Sequence, residues 1–587
     1  MTYTNLIRIN FGTTMKTQKD IPYGVSDFRT IMQEKLYYVD RTNYIKKMES
    51  GNNKFLFFLR PRRFGKSLLI STLNYYYGIQ YKAEFDSLFG ELYAGKNPSE
   101  ARNGYYVMNF DFTGINTQNI EDVMEGFNDK IKFGLIEFNK HYKLLEKSEF
   151  AEVLKNVYPS STLGYYLTEV SDKLEHKIMV LIDEYDHFTN EILSFNFTSF
   201  ADIVSKNGFV RKFYETIKLY TGKGVIDRFF ATGVTPVTLD SMTSGFNIAT
   251  NISGKDAFNE MAGFTDAEVK QMLYDLFPGI ADSTADTIMK DAAAWYNGSL
   301  FSAKAATKLY NPAMLLRFIS EINPGTMEYP RQMVDKNIIS DFSKIKNLAK
   351  LQNYDKNIDA IRTILEIGSF PAELTEIYSF ERDFTVDDFI SLLYYNGLLT
   401  IKEPLDFELS FEIPNYVIKV VYWSFFAKTL SDDFDVKTQT EEIKNAIRAM
   451  ANNNDAVPLI KIIENILAKL SNRDLMKFDE KYIKMIFMVY VSITNSYFIK
   501  SEAEMDKKYP DLLFLHRNQY RPKYQHLFEL KYIKKENAGK LDEVRAAGIE
   551  QVKGYLASEE IKAISGLRAW LIIFTGDVCS ECKEIAL

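Results

Sequence analysis

Phe55-Leu-Phe-Phe-Leu-Arg-Pro-Arg-Arg-Phe-Gly-Lys-Ser67 decides how the N-terminal half is read. Five apolar residues without alternation describe a strand buried on both faces, as in a parallel sheet covered by helices. The turn after it ends in Gly-Lys-Ser, the close of a phosphate-binding loop. Gly65 can supply the unusual backbone dihedrals the loop needs, Lys66 would bring charge to the β and γ phosphates, and the Ser67 hydroxyl would be a Mg²⁺ ligand. A helix opening near Lys66 turns its positive end to the same spot. The expected ATP contacts are Arg62, Arg63, Phe64, Gly65, Lys66, Ser67 and Leu68. One position departs from the motif: five residues before Gly65, where glycine is usual, stands Arg60. That exchange stiffens the loop and brings Arg62 and Arg63 toward the phosphates.

Three further apolar runs, 105–111, 178–182 and 228–232, have strand length and turn chemistry at their ends, with helical periodicity between them. Together they predict a three-layer α/β domain over residues 1–260. The run Ile178–Ile182 ends in Asp183-Glu184. Asp183 is expected to hold Mg²⁺ with Ser67, and Glu184 to polarise the attacking water. Thr235, after the next strand, reads equally as a γ-phosphate sensor and as a turn residue. Beyond this point the pattern becomes helical over 261–340, with breaks at Asn297-Gly298 and Asn311-Pro312. Residues 341–435 give a helix, a Gly turn and a strand, the order of a winged-helix-like unit. Residues 436–477 read as a helical linker, and α/β patterning returns over 478–587.

The second chemical signature lies in that last segment. Asp511 opens the apolar run Leu512–Leu515, and Glu529-Leu-Lys531 lies on a second run, His526–Tyr532. On a strand, residues i and i+2 share a face, so Glu529 and Lys531 look into one site while Leu530 looks into the core. A hairpin turn between the runs sets Asp511 beside Glu529. Two acids for Mg²⁺ or Mn²⁺ and a lysine that positions water are the requirements of metal-dependent phosphodiester cleavage. Asp511, Glu529 and Lys531 are therefore the candidate catalytic residues, with Glu502 or Glu504 as an additional acid. Gln551 and Tyr555, four apart on the next predicted helix, resemble the Gln-xxx-Tyr motif of RecB-like nucleases.

Net charge is −7, which by itself disfavours nucleic acid, but its distribution does not. Residues 507–540 hold nine Lys/Arg against three acids, so this segment is +6 and the remainder −13. Phosphate attraction is thus expected where the nuclease motif lies. The 587 residues predict several domains, and 46% apolar with 25% charged residues is an ordinary soluble composition. No apolar run approaches about 18 residues, so no membrane span is expected. The only cysteines, Cys579 and Cys582, exclude a disulfide framework and suit a cytoplasmic setting; a single CxxC lacks the second pair a zinc site needs.

Several strings together resemble the bacterial AAA-ATPase-like proteins with a C-terminal PD-(D/E)XK nuclease-like domain. They are Ile21-Pro-Tyr-Gly24, Tyr37-Tyr-Val-Asp-Arg-Thr42, Arg60–Ser67, Leu181-Ile-Asp-Glu-Tyr-Asp186, Gly263-Phe-Thr265, Trp295-Tyr-Asn-Gly298 and Tyr310-Asn-Pro312. The resemblance implies a multidomain α/β fold. Its N-terminal P-loop ATPase is AAA+/STAND-like, with a helical lid and a winged-helix-like unit, and its C-terminal domain is an α/β restriction-endonuclease-like fold. It also implies that Arg60 is a family feature. The winged-helix His with which many STAND ATPases sense nucleotide is missing, because no His lies between His187 and His516. The expected function is an ATP-regulated, Mg²⁺-dependent nuclease acting on DNA, with room for a homo-oligomer and no membrane partner. The alternative is a nucleotide-switched binding or signalling module whose nuclease fold does not cut.

Overall fold

Strand β1 (Phe55–Leu59) lies inside a parallel sheet with β2 (Tyr106–Asp111), β3 (Ile178–Asp183), β4 (Ile226–Gly233) and β5 (Thr250–Asn251), ordered β2-β3-β4-β1-β5. In the computed structural model the described residues are 19–586, apart from 52, 194–207, 239–245, 331, 336–341, 379–381, 435–439, 472–478, 495, 502–507 and 518–521. Register pairs Leu59 with Gly233 and Asp111 with Asp183. The carboxyl ends of β1, β3 and β4 thus share one edge, where open parallel sheets carry their ligands. The expected strands are all present. The two-residue β5 is too short to leave a periodicity in the sequence.

Ile178–Ile182 is buried along its whole length, the consequence of helices covering the sheet. Helix Lys66–Tyr77 packs against β2, β3 and β4, while Ile120–Tyr142 and Phe209–Gly222 pack on β2 and β4 and are joined by Pro159–Val170. Local signals start several helices. Asn119 caps Ile120–Tyr142, Thr265 and Glu268 form a reciprocal capping box on Asp266–Leu276, and Asn311 caps Pro312–Ser320 with proline at its first position.

A small antiparallel sheet follows, ordered β6-β8-β7 from β6 (Ser369–Ala372), β7 (Thr400–Pro404) and β8 (Leu409–Glu412). Helix Val386–Tyr395 precedes β7 through a turn at Gly397, φ +75°. A Cβ on Gly397 would meet the Pro61 ring at 2.8 Å, so this turn lies directly on the phosphate loop.

The C-terminal sheet runs β13-β12-β11-β10-β9, from β9 (Phe498–Ser501), β10 (Leu512–Leu515), β11 (Gln525–Ile533), β12 (Leu567–Thr575) and β13 (Val578–Ile585). Only β11–β12 is parallel, and helix Leu541–Leu556 makes its crossover. Helix Glu480–Ser492 lies against β11, and Val457–Ser471 lies against β13. His526 ties this region together from 0% exposure: its Nδ1 accepts from Trp570 Nε1 (3.2 Å), leaving Nε2–H to donate to the Met450 carbonyl (3.1 Å). Cys579 and Cys582 are free thiols on β13 rather than at a helix start, and burial pushes them up to about 12 and about 11. None of the described helices is long and apolar enough to cross a membrane.

Candidate nucleotide and nuclease sites

The phosphate loop is pinned from behind by the residue that broke its motif. Arg60 is 1% exposed. Its Nη1 donates to the carbonyls of Leu59 (2.8 Å) and Ser253 (2.9 Å), and its Nη2 to those of Phe258 (2.8 Å) and Asn259 (3.3 Å). The guanidinium lies 4.4 Å from the Phe58 ring and 4.1 Å from the Phe301 ring. Burial pushes its pKa down to about 9. Arg60 is thus a tie between the loop and residues 253–259 and 301. The loop then turns through two left-handed residues, Arg63 (φ +70°) and Gly65 (φ +87°), before the helix opens at Lys66. Its carbonyls are held from the other side, Arg62 O by Asn311 Nδ2 (3.4 Å) and Arg63 O by Ala313 N (3.4 Å).

Lys66 is buried, donating to Pro61 O (3.3 Å) and pairing with Glu184 (3.4 Å). Burial raises the Glu184 pKa, but the charges of Lys66, His187 and Arg62 outweigh it and hold the carboxylate below its usual range. Glu184 is itself left-handed, φ +51°, a costly conformation for a non-glycine residue and one that concentrates at functional sites. Asp183 accepts from Thr232 Oγ1 (2.6 Å) and is hydrogen-bonded by Ser67; burial, with Glu184 nearby, raises its pKa. Ser67 and Asp183 are therefore in contact, as a shared Mg²⁺ requires. Thr235 is placed elsewhere. It is 1% exposed, and its hydroxyl is engaged with Asp186 (3.0 Å) and Asn190 (2.6 Å). Asp186 also accepts from the backbone N–H groups of Val234 and Thr235, so this network holds the turn after β4.

A cavity of about 320 Å³ opens beside the loop. Arg63, Phe64, Gly65, Lys66, Ser67, Leu68 and Glu184 form one wall. The rest comes from residues 22–45, 261–264 and 312–316, including Tyr23, Tyr37, Tyr38, Phe264 and Leu316. A mostly apolar chamber next to a phosphate loop has the shape and chemistry for a nucleoside. Arg41 fixes the N-terminal wall, with Nη2 donating to Gly263 O (2.7 Å) and Glu268 Oε2 (2.6 Å). Tyr37 donates to Asp275 (3.0 Å). The role of the Tyr37–Thr42 string is not legible locally, because its partners lie more than 200 residues away.

In the C-terminal domain, register sets Leu512 opposite Phe528, so Asp511 and Glu529 are neighbours across two strands. Asp511 Oδ2 accepts from Leu530 N (2.9 Å), and Lys531 Nζ donates to Glu529 Oε1 (2.7 Å). Glu529 is 1% exposed, and its Oε2 is buried with no hydrogen-bond partner. Burial, then repulsion from Asp511, pushes its pKa up to about 7. Tyr555 lies beside Glu529; its hydroxyl takes a bond from Gln551 Nε2 (2.7 Å) and donates to the Tyr509 carbonyl (3.3 Å). Asp511, Glu529, Lys531, Gln551 and Tyr555 thus converge. Two facing carboxylates with one orphaned buried oxygen fit a divalent cation, although no cluster of three or more His, Cys, Asp or Glu ligands is gathered among the described residues. Glu502 and Glu504 lie outside the described residues. A different acid reaches the site: Glu480, in the first turn of helix Glu480–Ser492, lies 3.7 Å from Lys531 Nζ. Burial and Asp511 raise its pKa. It stands 31 residues before Asp511, too far for the motif to announce it.

A phosphate loop after β1 with acids at the end of β3, one strand removed across β4, joined to a paired-carboxylate site on a mixed sheet, defines a two-part class: an ATPase-like domain and a nuclease-like domain in one chain. Comparison with known families agrees in both halves. Residues 22–243 match the family described as Predicted AAA-ATPase, and residues 478–584 match the PD-(D/E)XK nuclease superfamily, which bears out the resemblance read from the sequence. The chain is also 26% identical over 318 residues to an "uncharacterized protein in vnfD 5′region" of Azotobacter chroococcum mcd 1. That match covers 51% of this chain and 52% of the relative, so the chain spans about half the length of the curated relative it matches.

Proposed function

We propose that the chain is an ATP-regulated nuclease that acts on DNA. The observation that carries this reading is the buried, partnerless oxygen of Glu529 beside Asp511, with the Lys531 ammonium 2.7 Å from the other Glu529 oxygen. A core gains nothing from two facing carboxylates, and the pair makes sense as a cation site. Asp511 and Glu529 would hold Mg²⁺ or Mn²⁺, with Glu480 within reach. The ion supplies Lewis-acid polarisation of the phosphodiester and an activated water. Lys531 would orient that water, and Tyr555, held by Gln551, lines the Glu529 side of the site. The basic segment 507–540 draws the nucleic-acid backbone in.

In the other half, Ser67 and Asp183 would hold the Mg²⁺ of ATP·Mg, with the base in the cavity beside Tyr37 and Tyr38. Lys66 must leave Glu184 to reach the phosphates. That exchange frees the Glu184 carboxylate to take the proton of the attacking water. In this reading residues 1–260 are the ATPase, 261–340 its helical lid, 341–435 a winged-helix-like unit, 436–477 a helical connection and 478–587 the nuclease. The winged-helix-like unit touches the loop through Gly397 and Pro61, a contact that needs no histidine. A reducing cytoplasm suits the two free thiols.

One observation favours a second reading, in which the fold grips nucleic acid or protein without cutting: only two described acids, with Glu480 at the margin, face the proposed metal. Cleavage of single- and double-stranded DNA and RNA with Mg²⁺ or Mn²⁺ decides between them. The nuclease reading expects metal-dependent cutting that Lys531→Ala abolishes; nucleotide-dependent binding without cutting supports the alternative.

A further inference from the structure

Two strings of the sequence, Trp295-Tyr-Asn-Gly298 and Tyr310-Asn-Pro312, supply none of the proposed catalytic groups, although Pro312 lines the nucleotide cavity, and together they touch the surroundings of both sites. On one side is the phosphate loop: Asn311 Nδ2 donates to Arg62 O (3.4 Å), and Asn311 N–H donates to Tyr296 O (3.2 Å). On the other side is the nuclease sheet. The Trp295 ring lies 4.6 Å from the Tyr416 ring and 6.1 Å from Phe498, the first residue of β9. The Arg517 guanidinium, 5% exposed just past the end of β10, lies 4.8 Å over Trp295. Tyr416 stacks on Phe498 at 4.3 Å, and its hydroxyl accepts from Ile499 N (2.9 Å). The packing leaves no slack, since a Cβ on Gly298 would lie 1.9 Å from the Pro414 carbonyl.

Two hydrogen bonds and one ring contact therefore span from the loop carbonyl to the nuclease sheet. The receiving ribbon has Phe498 opposite Leu515 at one end and Ser501 opposite Leu512, next to Asp511, at the other. Three residue steps of strand, roughly 10 Å, separate the ends. A paired ribbon transmits a push along its length, because sliding it breaks its ladder.

We infer that Trp295, clasped by Tyr416, Phe498 and Arg517, is the junction through which nucleotide at the phosphate loop sets the alignment of Asp511 against Glu529. The inference rests on the proposed ATP-regulated nuclease and names its transmission. A junction of this kind changes state when nucleotide binds, and that change is what an indole probe reads. The chain has three tryptophans, Trp295, Trp423 and Trp570, so Trp423→Phe with Trp570→Phe leaves Trp295 as the only indole reporter. Saturating ATP analogue with Mg²⁺ is expected to shift its emission. Asn311→Ser, which keeps the helix cap and loses the bond to Arg62, is expected to shrink that shift several-fold. Hydrogen exchange at residues 497–501 of the unaltered chain, with and without the analogue, reads the same movement should the double variant fail to fold. Trp295→Phe is expected to bring the ratio of DNA cleavage with and without ATP to within twofold of one, while ATP turnover changes less than twofold. Bound nucleotide, shown by calorimetry, that moves neither the Trp295 emission nor the exchange of 497–501 overturns the inference. A chain in which both respond but DNA is never cut keeps the junction and loses the nuclease assignment.

Discussion

Glu184 holds a left-handed backbone and an ion pair with Lys66, and both features follow from its position just past the end of β3. Removing Lys66 removes the charge that meets the phosphates, so Lys66→Ala is expected to abolish ATP binding by calorimetry. Glu184→Gln keeps the shape and loses the base, so binding persists while phosphate release slows by about 10²–10³-fold. Glu529 offers a pH test. Its carboxyl is pushed above the ordinary carboxylate range, so the folded chain binds that proton more tightly than the unfolded chain does. Stability contributed by the protonated form is complete below the unfolded value and is lost as pH rises toward about 7. Divalent cation offsets that loss, so Mg²⁺ or Mn²⁺ is expected to raise Tm more at pH 8 than at pH 6. Asp511→Asn keeps an oxygen for Leu530 N–H and should erase the metal-induced gain. At this scale the sequence announced Lys66, Ser67, Asp183, Glu184, Asp511, Glu529 and Lys531, whose spacing carries their chemistry. It could not announce Glu480 or the true place of Arg60, because both depend on contacts far along the chain.

Among elements, the phosphate loop is held by three neighbours: Arg60 to residues 253–259, helix Pro312–Ser320 under the Arg62 and Arg63 carbonyls, and the Gly397 turn on Pro61. Arg60→Met would leave several buried carbonyls without donors at about 1–3 kcal/mol each, and chemical denaturation should show a loss of at least that size. Gly397→Ala and Gly368→Ala separate strain from contact, since both glycines have positive φ but a Cβ at Gly368 meets nothing within 4 Å. Each should cost about 1–2 kcal/mol from the backbone alone. Only Gly397→Ala should also weaken ATP binding. Continuous apolar runs made the four longer strands of the first sheet legible, and i, i+2 spacing made the face of β11 legible. Strand β5 left no trace at two residues. The cavity walls at 22–45 and 261–264 were visible as strings but not as a pocket, since only the fold brings Tyr37 to Asp275.

For the molecule as a whole, one chain joins an acidic body to a nuclease-like sheet that carries the basic segment 507–540, and the Trp295 contact links the surroundings of the two sites. If the halves were independent, changes at the phosphate loop would leave DNA cleavage untouched. The most direct measurement is metal-dependent cleavage of DNA with and without saturating ATP, run on the unaltered chain beside Lys66→Ala and Lys531→Ala. An ATP-regulated nuclease would show cutting that changes severalfold with ATP in the unaltered chain, cutting indifferent to ATP in Lys66→Ala, and none in Lys531→Ala. Cutting that survives in Lys531→Ala, or that ignores ATP in the unaltered chain while ATP is bound, would contradict it.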